Sequence, residues 1–390
     1  MNNLSAFFDT TEEHDLKTKE LVDNMNLLKS LSVEEYTFYK KWEDINYNFN
    51  QEVSNLRLIK NKIWIPTDIE DEQVTVSQIE NLSPRIIPIE SDNLYDWNII
   101  RSFCHTMVFD ANIGRNLKFL VIDDNTQKYL GCLTIGSDVI AINARDTHIG
   151  WTKEDRLDKK KLNNIAIGTC IMATQPFGYN FLGGKLMATL ITSKIVRDLW
   201  KSRYEDTLIG MTTTSLYGPY SMYNSIPYWK GVGSSAGKIT LKPDDKIYKY
   251  WHKYVKETYI DKYDNAYNAN NAIGVTSGVK QKIVSMILKE VGLTISHYQH
   301  GYERGVYFCP IFDNTNDFLC DRIPESDLVM KKRFETDVDG MLDWWRGRAI
   351  KRYKKLREEG NLKNEILFYD DLIGTSWKEA KKMYIDQVGR

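Results

Sequence analysis

The 390-residue sequence is short of several things, and each shortage narrows its function. No stretch approaches the roughly 18 consecutive apolar residues of a membrane-crossing helix. The opening Met1-Asn2-Asn3-Leu4 has neither the basic start nor the apolar run of a secretion signal. No membrane partner is expected, and the chain reads as cytoplasmic. Cysteine is sparse: Cys104, Cys132, Cys170, Cys309 and Cys320 are scattered, form no C-x-x-C pair and have no histidine at zinc-finger spacing. They read as buried thiols in a reducing compartment. Of six histidines only His297 and His300 lie close together, without flanking acids, so no metal site is expected. Neither G-x-x-x-x-G-K-[ST] nor G-x-G-x-x-G occurs, which argues against a P-loop and the usual dinucleotide fingerprint.

What is present belongs to a soluble globular chain, with 42% hydrophobic and 27% charged residues and room for two or three domains. The net charge of −1 conceals an asymmetry. Residues 1–100 hold 9 basic against 19 acidic side chains, and residues 101–390 hold 43 against 34. The sequence divides into an N-terminal accessory region over 1–95, a core over 96–325 and a basic helical extension over 326–390. Leu21, Met25, Leu28 and Leu31 recur at helical spacing in the first part, and Asp68 to Glu72 reads as an acidic linker. Strands over 117–124 and 129–136, joined by Asp124-Asn125-Thr126, predict a hairpin.

The core centres on 165–229. The β-branched run Ile165 to Ala173 predicts a buried strand, followed by a loop and the pair Gly183-Gly184. Met187, Leu190, Ile191, Ile195 and Leu199 then predict one amphipathic helix, Thr207 to Thr214 a second strand, and Ser221 to Asn224 a short helical piece. The fold class is therefore α/β (α+β), a mixed sheet with flanking helices and helical extensions at both ends. Two glycines at a helix start let the backbone approach a ligand, and the unpaired N–H groups and dipole there favour an anion. Lys185 adds charge at the same place, so Gly183, Gly184 and Lys185 form a candidate pyrophosphate cradle. The same pattern also suits a helix packed tightly on a sheet.

Two further stretches mix cations with aromatics. Ile247 to Tyr259 alternates tyrosines and Trp251 with lysines, which fits either a nucleic-acid surface or a helix with a buried aromatic face. Between Arg346 and Arg357 stand seven basic residues and no acid, preceded by Trp344 and Trp345. Such a run suits a polyanion, which makes Trp345, Arg346, Arg348, Lys351, Arg352 and Lys355 candidate DNA or other nucleic-acid contacts.

Several segments resemble one family. They are Ala144 to Trp151, Asn163-Asn164, Asn180-Phe181-Leu182-Gly183-Gly184-Lys185-Leu186-Met187-Ala188, Thr212 to Ser215, Ser221 to Asn224, His300 to Tyr307 and Trp344-Trp345-Arg346. Together, over about 97–355, they are similar to the DruA proteins of Druantia anti-phage systems and their phage- and transposon-associated relatives. The resemblance implies a core like that of the GNAT acyltransferases, in which a strand leads into a glycine loop and helix holding the pyrophosphate of an acyl-CoA. Gln175 and Gly178 fit the start of that family's loop, but Asn180 stands where a glycine is usual, and Gly183-Gly184 replace the final glycines. Tyr223 corresponds to a tyrosine that protonates the leaving thiolate in such enzymes. Arg145 and Asp146 could bind or deprotonate a substrate, or form an internal ion pair. The implied function is a GNAT-like acyltransferase acting on nucleic acid, as the GNAT-like phage Mom proteins modify adenine, with acetyl-CoA or a similar acyl-CoA as cofactor. The alternative is a non-catalytic DNA-binding component of a defence or counter-defence system.

Overall fold

The computed structural model describes residues 3–48, 59–91, 93–104, 114–215, 221–268, 277–335, 338–363 and 369–388. In chain order the elements used below are α1 (Asn3–Ser30), α2 (Val33–Glu43), α3 (Glu72–Glu80), β1 (Pro84–Pro88), α4 (Leu94–Cys104), β2 (Asn116–Asp123) and β3 (Lys128–Ser137). They continue with β4 (Ile165–Ala173), α5 (Gly183–Leu190), α6 (Lys194–Tyr204), β5 (Gly210–Ser215), β6 (Lys230–Thr240), α7 (Asp245–Thr258), α8 (Ser277–Glu290), β7 (Gln299–Pro310), α9 (Val338–Glu358) and α10 (Trp377–Val388).

The chain is mixed α/β, as its periodicities imply. Seven strands form one sheet in the order β1-β2-β3-β4-β5-β7-β6. The pairs β1–β2, β2–β3, β3–β4 and β5–β7 are antiparallel, and β2–β3 is the expected hairpin. β4 and β5 are paired in parallel, and α5 and α6 lie between them in the chain. A parallel pair needs such a crossover, because a tight turn cannot return the chain in the same direction.

The chain folds into two compact units. One comprises Met1–Glu43, Ala236–Tyr302 and Ser376–Arg390. It is largely helical. Leu21, Met25 and Leu28 of α1 are wholly buried, as their spacing implies. In α7 the aromatic face turns inward: Trp251 and Val255 are fully buried, and Trp251 lies edge-on to His14 at 5.4 Å. The buried-face reading of that helix therefore describes it, with Lys249, Lys253 and Lys256 on its wet side. A desolvated cluster, Lys40 with Glu43 at 2.7 Å and Asp244 at 3.2 Å, joins α2 to the residue preceding α7.

The other unit, Asp44–Ser235 and Glu303–Thr375, holds the main hydrophobic core. Two local expectations are revised there. The helix after Gly183 is two helices, broken at Ile191 to Ser193. Thr189 Oγ1 donates to the Lys185 carbonyl and Thr192 Oγ1 to the Thr189 carbonyl, hydroxyl bonds that compete with the regular ladder. The phase then resets, so that Val196 and Trp200 are buried and Ile195 is left exposed. Residues 221–224 form a turn, not a helical piece. Ile63 makes an isolated bridge to Tyr129.

Among the described residues no helix is long and apolar enough to cross a membrane, and no cluster of three or more metal-ligating side chains occurs. Cys132, Cys170 and Cys309 are buried and in no disulfide, and the sulfurs of Cys132 and Cys170 lie 3.6 Å apart. The side chain of Cys104 lies outside the described residues.

Candidate functional site

The parallel pair opens into a fork. β4 and β5 are in register from Ile165↔Gly210 to Gly168↔Thr213, and β4 then runs on to Ala173 without a β5 partner. Outside the carboxyl ends of such strands, where the connections diverge, α/β sheets commonly bind ligands. Here a side chain of the protein itself lies at the opening. Thr213 Oγ1 sits 3.0 Å from the Gly168 carbonyl and 3.4 Å from the hydroxyl of Tyr223. The Tyr223 ring is buried against Trp229 and Tyr307, with centroids 5.3 and 5.1 Å away. Burial drives its phenol well above the usual tyrosine range, so it holds its proton tightly.

The glycine turn lies beside this fork. Gln175 Oε1 accepts from the Tyr179 N–H at 3.0 Å, and a Cβ on Gly178 would stand 2.7 Å from the Gln175 amide. Leu182 adopts a left-handed φ of 54°, and α5 begins immediately after it. A Cβ on Gly183 would lie 2.5 Å from the Phe177 ring and 2.9 Å from Ala173 Cβ, so this glycine lets the helix start press onto an aromatic core. A Cβ on Gly184 would meet Met222 Sδ at 2.8 Å. Lys185 Nζ donates to the carbonyls of Met222, at 2.9 Å, and Asn224. Burial lowers the affinity of Lys185 for its proton, and neighbouring Arg348 lowers it further. The structure thus gathers Gly183, Gly184 and Lys185 around the 221–224 turn that carries Tyr223. Met222 and two backbone carbonyls lie where the sequence suggests a phosphate.

Arg145 and Asp146 lie in a separate network. Arg145 is fully buried, its guanidinium bonded to Asp138 at 2.8 Å and to Asp146 at 2.7 Å. Asp146 also accepts from Arg156 and, at 2.9 Å, from Trp151 Nε1. Burial pushes the Asp138 carboxyl up, against the pull of Arg145. This is the internal ion pair that the sequence left as one of two readings.

Sequence reasoning missed a trough of about 450 Å³ on β6 and β7. Gly231 and Gly233 lie along it, Asn224 and Tyr307 line it, and Ser234 and Glu303 add a hydroxyl and a carboxylate. Ser234 donates to Glu303, and the Tyr307 hydroxyl donates to Asn224 Oδ1 at 3.1 Å. Gly231 and Gly233, alternate residues of β6, with Gly305 of β7 were the available signal, because they leave one sheet face short of side chains.

The basic helix α9 divides its cations between two faces. Met341, Trp345, Ala349 and Tyr353 are wholly buried, and Trp345 Nε1 donates to the carbonyls of Phe181 and Leu182. Trp345 is therefore a core residue that holds the glycine turn. Arg346 donates to the Leu82 carbonyl at 2.9 Å, and Lys354 and Arg357 meet Glu72 of α3 at 2.9 and 3.3 Å. The acidic segment read as a linker thus neutralises one flank. The other cations lie elsewhere. Arg348 rests over Trp344 with its guanidinium carbon 4.7 Å from the ring centroid, and Arg352 over Tyr179 at 5.2 Å. Lys351 is exposed, and Lys355 is exposed 3.6 Å from Glu359, one helical turn away. Asn180, buried, exchanges two hydrogen bonds with the Lys363 backbone, which brings the Lys363 ammonium within 5.9 Å of Tyr179.

A family model described as "Druantia protein DruA" matches residues 34–321. The chain is 27% identical over 236 residues to the Druantia protein DruA of Escherichia coli (strain UMEA 4076-1), an alignment covering 56% of each protein. It therefore spans about half the length of the curated relative it matches. No solved structure matches. The family match takes in the fork, the glycine turn and the glycine-lined trough and ends before α9, and on that coverage the chain belongs to the DruA family.

Proposed function

We propose that this DruA-family protein binds DNA as part of an anti-phage defence system, and that the contact is made by α9. One observation carries the reading: Arg348, Lys351 and Arg352 have no carboxylate partner among the described residues, and two of them are held over aromatic rings. Cations not neutralised by the protein's own acids are available to release counterions from phosphates. Lys355, with a solvent-exposed carboxylate 3.6 Å away, is only loosely engaged and extends the same stripe. Fluorescence anisotropy with labelled DNA tests this reading. Affinity should fall steeply between about 50 and 200 mM salt. Affinity independent of salt, or no binding at low salt, would refute it.

A second reading, acyl transfer to nucleic acid, is favoured by the fork between β4 and β5. A strand leads there through a glycine turn to a helix start, and Tyr223 reaches the opening. In that reading Gly183, Gly184 and Lys185 would receive the pyrophosphate of acetyl-CoA or a related acyl-CoA once the 221–224 turn had moved. Tyr223 would be the proton donor, and the Glu303 trough would take the acceptor. An acyl-CoA bound at this position would supply the activated acyl group. Calorimetry with acetyl-CoA tests it. Binding at micromolar concentration that is lost in Gly184→Val would support the reading, and no heat at millimolar acetyl-CoA would remove it.

A further inference from the structure

The outward surface of α9 has a form that selects among nucleic acids. Trp344, Arg348, Arg352 and Lys355 follow at spacings of four, four and three residues, and so lie in one row on the helix surface. Successive members are separated by roughly 4.5–6 Å along the axis, from the 1.5 Å rise per residue. The opposite side of the helix, with Trp345, Ala349 and Tyr353, is sunk in the core. Beside the row stand Tyr179, 37% exposed, and the Lys363 ammonium. Near its start, the Arg333 guanidinium lies 5.8 Å from the Trp344 ring.

Reading a duplex requires an element that stands proud and enters a groove, about 12 Å wide on the major side. A helix sunk to half its circumference and flanked by neighbouring segments does not present such an edge. What it presents is a row of cations with one ring at its start and a second ring beside it. Exposed phosphates and unstacked base faces complement that pattern. We infer that the α9 row binds single-stranded DNA, with phosphates along Arg348, Lys351, Arg352 and Lys355 and bases stacked at Trp344 and Tyr179. This rests on the DNA-binding reading above and narrows it to one form of DNA.

The test compares a labelled 20-nucleotide oligo-dT with a 20-base-pair duplex on the full chain at one salt concentration. The single strand should bind at least tenfold more tightly. Trp344→Ala and Tyr179→Ala should each cost roughly tenfold in single-strand affinity, as lost stacking does. The salt slope should not change, because no charge is removed. Trp344→Phe and Tyr179→Phe should recover most of that loss, which separates stacking from a folding defect, and melting curves of all four variants check the fold. A duplex bound as tightly as the single strand would overturn the inference and leave the DNA-binding reading standing. So would alanine variants that bind oligo-dT like the parent. Failure to bind either DNA at low salt would overturn both.

Discussion

Two clusters of positive charge in this protein look alike in the sequence and differ in the structure. At the start of α5, Lys185 follows two glycines, and all three are engaged by the chain itself. The lysine holds two carbonyls, one glycine faces an aromatic ring, and the other faces Met222. Along α9, some cations are spent in the same way on Glu72 and backbone carbonyls, while Arg348, Lys351, Arg352 and Lys355 remain on the outer side. The difference lies in who the neighbours are. Glu72 and Met222 are far away in the sequence, so the local pattern could not reveal which cations already had partners. A positive cluster is a binding surface only after the internal partners have been subtracted.

The comparison can be broken most forcefully by reversing charge. Arg348→Glu, Lys351→Glu, Arg352→Glu and Lys355→Glu together should weaken DNA binding by about 10³-fold or more at low salt. The melting temperature should stay near that of the parent, because these residues carry little of the core. Lys354→Gln with Arg357→Gln should do the opposite: nearly unchanged affinity, and only a slight loss of stability, because the ion pair is exposed. Equal loss of affinity from both sets would erase the distinction between the two flanks.

The glycine turn predicts effects on folding. Gly183→Ala should cost about 1–3 kcal/mol, since the new methyl meets Phe177 and Ala173 at sub-contact distances. Gly184→Ala should cost less, because the atom it meets is near the end of a flexible methionine side chain. Urea midpoints compare the two, and the reverse order would contradict the packing account.

Smaller still is the effect of Lys185→Met. It removes a half-buried ammonium from two carbonyls and should lower stability by about 1 kcal/mol. The salt slope of DNA binding should be unaltered; a flattened slope would place Lys185 on the binding surface after all.

The smallest effect lies outside both clusters and serves as a control. Asp155 and Thr152 form a reciprocal cap on a short helix, and those hydrogen bonds hold the Asp155 carboxyl down to about 2 from its ordinary 3.8. A depressed carboxyl stabilises the fold fully above its unfolded pKa and loses that contribution as pH falls through the folded value. The cap should therefore weaken between about pH 4 and pH 2. Asp155→Asn should flatten stability over that window and cost about 1 kcal/mol at neutral pH. A variant with the parent's acid profile would show that the cap is not what titrates.

Much of the fold could be read beforehand where the signal is local. The buried run of β4, the β2–β3 hairpin and the buried stripe of α1 follow from side-chain period and turn residues alone. The break between α5 and α6 could not be read that way. It depends on threonine hydroxyls choosing backbone partners, which a hydrophobic pattern does not register. The candidate sites divide along the same line. Arg348 and Arg352 were visible as charge and Trp344 as a ring beside them, but Tyr179 was not, because it joins Arg352 only when the chain folds back. Trp344 and Trp345 are adjacent and chemically identical, and only helix phase decides that one holds the glycine turn and the other sits beside Arg348. Glu303 lies in the segment His300 to Tyr307, which carried the family resemblance but gave no sign of the trough that β6 completes.

The most direct test of the central claim is the slope of log affinity for DNA against log salt, measured for the parent chain and for Arg348→Gln, Lys351→Gln, Arg352→Gln, Lys355→Gln. Each phosphate neutralised contributes about −0.9 to the slope on duplex DNA and about −0.7 on a single strand. Four contacts on α9 therefore predict a slope shallower by about 3 in the variant, with the fold intact by melting. Identical slopes in parent and variant would mean that α9 carries only solvated charge and that DNA, if bound, is held elsewhere.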